Sequence, residues 1–194
     1  MAFYLLLLGA GIQLATELFY VWTMFKGSTK PNRVTFLIWA LAPMIAVPAA
    51  LSEGAGWAVL PVFMSGFGPL LVFVASFAAP GAYWKLGRLD YACGAFSLLA
   101  LLLWWVTQNP FYAILFAILS DALALLPTLI KTWSHPETEH YAAYAGAIFG
   151  SIAALFVVES FIFTAVAFQT YLIVACTAVI VLIFRKELHI RTVH

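Results

Sequence analysis

Apolar stretches of about 20 residues, the length that crosses a bilayer as an α-helix, follow one another along the chain with only short polar joints between them. They run Phe3–Phe25, Val34–Leu51, Trp57–Ala78, Leu89–Thr107, Phe111–Ile130, Tyr141–Val158 and Phe161–Phe184. Hydrocarbon offers no water to satisfy a backbone, so each stretch must bond internally as a helix. The expectation is an all-α membrane protein with seven transmembrane helices. Only 9% of residues are charged and mean hydropathy is +1.03, whereas a soluble domain carries about 25% charge. The first stretch has no basic residues ahead of it and exceeds the usual signal-peptide core. It reads as a retained span.

The joints alternate in charge. Lys26, Lys30 and Arg33 follow the first span, Lys85 and Arg88 the third, Lys131 the fifth, and Arg185, Lys186 and Arg191 the seventh. The intervening joints carry Glu53, no charge, or Glu159. Cations collect on the cytoplasmic side, which places the N-terminus outside and the C-terminus inside, in a bacterial or archaeal inner membrane. A net charge of +1 gives no basic patch for nucleic acid. Cys93 and Cys176 sit in apolar runs without metal or redox spacing and read as core residues.

Shifting the chain by 105 positions lays Lys26 on Lys131, Pro31 on Pro136 and Trp39 on Tyr144. Each copy reads apolar helix, lysine, four-residue polar gap, proline, new helix, and an aromatic eight residues past the proline. Both copies start on the same face, so the pattern is 3+1+3: parallel repeats of three-helix bundles joined by one inverting helix. The divisions are 1–80, 81–108 and 109–194.

Two acids lie deep inside spans. Glu17 precedes Lys26 by nine residues and Asp121 precedes Lys131 by ten, so their depths differ by about 1.5 Å at the helical rise. A lone carboxylate at such depth must be protonated, paired or wetted. Gln13, Glu17, Tyr20 and Met24 share one helix face. Asp121 has Ser120 beside it and Leu125 and Thr128 on its face. Gln169 is the strongest polar residue of span seven. The structural alternative for each acid is a helix–helix hydrogen bond. Pro43, Pro61, Pro69 and Pro127 fall inside spans, where each removes a backbone bond. The loop His135–His140 holds two histidines and two glutamates. It reads as a solvated helix-capping loop rather than a metal site. No span contains a histidine to hold haem or complete a catalytic triad, and span seven lacks a lysine for retinal.

The segment Pro127-Thr128-Leu129-Ile130-Lys131, with its short polar loop, resembles the PQ-loop signature, Pro-Gln-apolar-x-Lys. The span count, the topology and the length near 200 also resemble the PQ-loop/SWEET superfamily, which includes sugar and vitamin transporters, amino-acid exporters and the KDEL receptor. Two departures stand out: Thr128 replaces the glutamine, and Trp22 occupies the first copy's proline position. The resemblance implies a small polar solute, with or without protons, moved by alternating access. It implies a pocket lined by aromatics such as Trp39 and Tyr144, and hinges at Pro43, Pro61 and Pro127. The expected substrate or proton site is Asp121, Glu17, Gln13, Tyr20, Trp39, Tyr144, Gln169 and Thr128. No cofactor, metal or catalytic residue is expected, and the chain is a monomer or weak homo-oligomer. The alternatives are a receptor or assembly factor on the same fold, or a membrane isomerase or cyclase using the two acids.

Overall fold

The computed structural model describes residues 2–52, 56–107, 109–158 and 161–191; Glu53 and Glu159 lie outside them. Among the described residues there are seven α-helices and no strands. They are α1 (Ala2–Phe25), α2 (Arg33–Ser52), α3 (Leu60–Ala78), α4 (Arg88–Val106), α5 (Pro110–Ser134), α6 (Tyr141–Val157) and α7 (Phe163–Arg191). Short 3-10 turns occupy Gly56–Val59 and Pro136–Thr138. Five helices contain segments long and apolar enough to cross a membrane, while α2 and α6 contribute shorter apolar segments. The protein is accordingly a helical membrane protein.

α1 packs on α3 and α6, and α5 packs on α7 and α2. α2 lies against α3, α6 lies against α7, and α4 packs chiefly on α5. Lipid-spanning helices associate through close backbone approach and hydrogen bonds rather than through expulsion of water, and small residues mark these seams. Between α1 and α6, a Cβ at Gly146 would collide with Thr16 Oγ1, and one at Gly150 would fall 2.8 Å from Gln13 Oε1. Between α2 and α3, a Cβ at Gly66 would meet Pro43 Cβ at 2.9 Å, Met44 Cγ at 3.1 Å and the Ala40 carbonyl at 3.2 Å. Gly66→Ala is expected to cost about 1–3 kcal/mol by overpacking. Gly11→Ala, with open space at the same atom, is expected to be neutral or to gain up to about 1 kcal/mol of helix propensity. Thermal midpoints of the two variants in detergent check the pair.

The helix ends are tied to one another. Asn32 Oδ1 caps α2 by accepting from Val34 N (3.1 Å) and Thr35 N (3.3 Å). Its amide nitrogen donates to Asp90 Oδ1 at 2.5 Å. Asp90 Oδ2 in turn accepts from Gly87 N at the start of α4 (2.5 Å). One buried amide thus couples the entries of α2 and α4. His140 Nδ1 accepts from Ala142 N (3.2 Å) at the start of α6. Partial burial pushes this imidazole below its ordinary pKa against the opposite pull of Glu139, which keeps Nδ1 available as an acceptor.

Two expectations change. Pro61 is the second residue of α3, in the first turn, where a backbone N–H has no helical partner to lose. It starts a helix rather than bending one. Pro43 and Pro127 do lie inside α2 and α5, as does Pro69 inside α3, and Pro48 joins Pro43 in α2. The loop after α5 is not solvated throughout: Pro136, Thr138 and Glu139 are buried, for a reason that lies beneath the central cavity.

Candidate functional site

A cavity of about 100 Å³ lies between the helices, walled by α1, α2, α3, α5, α6 and α7. α4 contributes nothing to its wall. One water needs roughly 10–15 Å³ of such space, so the cavity holds several waters or a small solute. Glu17, Gln13, Asp121, Trp39, Tyr144 and Gln169 all line it, as do Pro43 and Pro61. Tyr20 and Thr128 stand outside its wall.

Each acid is held differently. Asp121 Oδ2 accepts from the Tyr171 hydroxyl at 2.8 Å, and the Asp121 carbonyl accepts from Trp39 Nε1 at 3.4 Å. Both partners lie on other helices, so Asp121 joins α5 to α7 and α2. Glu17 is 3% exposed. It fits because α3 presents Gly68, where a Cβ would fall 2.7 Å from Glu17 Oε1. Its other oxygen, Oε2, is buried without a hydrogen-bond partner. Buried polar atoms normally find one, so this oxygen marks a place where the protein alone does not complete the bonding. Cys176 also lines the cavity.

Aromatic rings close one end. Trp39 and Tyr144 meet edge to face at 6.4 Å between centroids, and Phe36 meets Trp39 at 5.4 Å. Tyr20 lies beneath, 5.6 Å from Phe36 and 6.5 Å from Tyr144. The rest of the wall runs from this floor toward the N-terminal end of α1, reaching Leu6.

Below the floor is a network that sequence reasoning missed. Lys131 Nζ forms a buried ion pair with Glu139 Oε1. Glu139 Oε2 accepts from the Tyr20 hydroxyl at 2.8 Å and the Tyr144 hydroxyl at 3.0 Å. Lys131 Nζ also donates to the Lys30 carbonyl at 2.5 Å and sits 5.4 Å from the Trp84 ring. Lys30 N donates to the Thr138 carbonyl at 2.9 Å. Both carboxylate oxygens of Glu139 and two of the three ammonium protons of Lys131 have hydrogen-bond partners, and such added bonds are the condition under which a buried pair is tolerated. The network draws on α1, the α1–α2 loop, α5 and α6, so it fastens the α1 end of the molecule to the α5–α6 end. A signal existed in the sequence: Glu139 follows Lys131 by eight residues across a proline turn. Among so many loop polar residues it did not stand out.

Thr128 belongs to a second buried chain. Its hydroxyl donates to Thr35 Oγ1 at 3.0 Å, and Thr35 Oγ1 donates to the Ala124 carbonyl at 2.7 Å. This joins α5 to α2 one helical turn around Pro127. Among the described residues no group of three His, Cys, Asp or Glu could hold a metal.

The site is a largely apolar cavity with a few buried polar side chains, set within a helical membrane protein. No family model, curated protein or solved structure matches the chain.

Proposed function

We propose that the protein is a small-solute transporter or facilitator of the PQ-loop/SWEET type, working by alternating access between two three-helix bundles. The observation that carries the reading is the cavity itself. Six helices wall it, α4 stays outside, and a hydrogen-bonded floor closes it at the Lys131 end. The packing supports parallel 3+1+3 repeats. Exchanging α1 with α5, α2 with α6 and α3 with α7 turns α1·α3 into α5·α7, α2·α3 into α6·α7, and α1·α6 into α2·α5, all of them contacts in the fold. In this reading the N-terminus is outside, the C-terminus is cytoplasmic, and the floor is the cytoplasmic gate.

Transport requires the floor to part while the opposite end closes. The buried bonds of Glu139 to Tyr20 and Tyr144 hold the gate shut, and interior prolines in α2, α3 and α5 let those helices bend with fewer backbone bonds to break. Asp121 and Glu17 receive polar groups of the solute, protons, or both. Protein reconstituted into liposomes is expected to exchange a labelled small polar solute with the same solute trapped inside, saturably and without a gradient. Saturable binding with no exchange would remove the transporter reading and favour a receptor on the same scaffold.

A further inference from the structure

The reading of the cavity as a solute site leaves the solute's chemistry open, and the hydrogen bonds around the cavity bear on it. Donors in the wall are largely engaged by the protein. The Tyr171 hydroxyl, just behind the wall, and the Trp39 indole N–H both donate to Asp121. Ser65 Oγ donates to the Val62 carbonyl at 2.8 Å, and Ser120 Oγ donates to the Ser97 carbonyl at 2.9 Å. Gln13 Nε2 points to the Met64 carbonyl at 3.4 Å. Gln169 and Ser151 keep groups that can serve either way. What is left over is the two acids, which are acceptors when ionised: the unpartnered Glu17 Oε2 and the carboxyl group of Asp121, whose Oδ2 also accepts from Tyr171.

No lysine, arginine or histidine lines the cavity among the described residues. Lys131, the nearest buried cation to the floor, is committed to Glu139. Aromatic rings from α2, α6 and α7 flank the acids, namely Phe36, Trp39, Tyr144 and Phe168. Ring faces attract cations, and more strongly where water is excluded. Sugars and other polyols need donors and acceptors in mixed pairs. Carboxylate solutes need donors or positive charge. The wall offers no positive charge, and few free donors beyond Gln169 and Ser151. We propose that the cavity binds a small organic cation carrying an ammonium group, with Glu17 and Asp121 as its counter-charges and Trp39 and Tyr144 as its aromatic wall.

The probes are choline, tetramethylammonium and ethylammonium, with 3,3-dimethylbutan-1-ol as the uncharged counterpart of choline. Each is titrated into purified protein while tryptophan fluorescence and thermal midpoint are followed. At least one cation is expected to bind saturably and to raise the midpoint, and the uncharged alcohol is expected to bind at least about tenfold more weakly. Glu17→Gln is expected to weaken cation binding by about tenfold or more, since it removes the counter-charge and keeps the shape. If that variant does not fold, Trp39→Leu serves in its place and is expected to weaken the cations and not the alcohol. Equal binding of cation and alcohol, or no response to any of the three cations, overturns the inference.

Liposome exchange separates this inference from the transporter reading. Exchange of an uncharged polyol without any cation response removes the ammonium inference and leaves transport standing. Cation binding that Glu17→Gln abolishes, with no exchange of any cation, keeps the inference and removes transport.

Discussion

Lys131→Met is expected to lower stability by roughly 3–5 kcal/mol, because it leaves Glu139 charged, buried and without its counter-ion. The side chains of the pair are essentially sealed from solvent, and the two tyrosine hydroxyls that also donate to Glu139 cannot replace a full positive charge. The double variant Lys131→Met with Glu139→Gln removes both charges. Its glutamine oxygen still accepts from a tyrosine, and a pair replaced by neutral groups of similar volume is often no less stable than the original. The double variant is therefore expected to recover most of the loss. Thermal midpoints of the wild type, the two single variants and the double variant form a cycle that isolates the coupling. A Lys131→Met midpoint equal to wild type would mean that water reaches Glu139 and that the floor is not a seal.

On the transport proposal, Asp121→Asn is expected to have the largest effect on activity, lowering solute exchange by about tenfold or more while stability changes by no more than about 1 kcal/mol. The amide keeps the carboxylate's shape, and its oxygen still accepts from Tyr171. The bond from Trp39 goes to the backbone carbonyl and is untouched. The change therefore isolates charge and protonation from packing. Exchange rates in liposomes, set beside midpoints of the same preparations, check both halves. A variant that exchanges at the wild-type rate would reduce Asp121 to a structural bond between α5 and α7. A variant that cannot be purified folded would do the same by another route.

How far the chain could be read without coordinates depended on whether a residue's environment was set locally. The spans were legible because hydrocarbon imposes one length and one bonding pattern on every crossing. The starts of α1, α2, α4 and α6 fall within one residue of their expected positions. α5 runs further than expected, to Ser134, because Lys131 has a buried partner and need not mark the helix end. Glu17 and Asp121 are legible as acids at matched depth, and Trp39 and Tyr144 as aromatics matched by the 105-residue shift; all four line one cavity. Tyr20 was placed with them by helical phase, yet it lies below the floor, since phase gives direction and not depth. Glu139 was illegible because its charge is balanced by groups from α1 and α5 and its neighbours, His135, Glu137 and His140, look like ordinary surface. Pro61 was misread because a proline's effect depends on its distance from a helix start, and the start of α3 is blurred by the 3-10 turn of Gly56–Val59.

The seclusion of the Lys131–Glu139 pair has a consequence for how the protein responds to its surroundings. Mobile ions screen charges that they can approach, over about 8 Å at physiological ionic strength. They cannot enter a pair shut away from solvent, so added salt leaves the closed floor as tightly fastened as before. Lys26, exposed at the same end and resting 5.4 Å from the Trp22 ring, has no such shelter. Ionic strength therefore acts on Lys26 at that surface, and leaves the buried latch between α1 and the α5–α6 end indifferent to the medium outside.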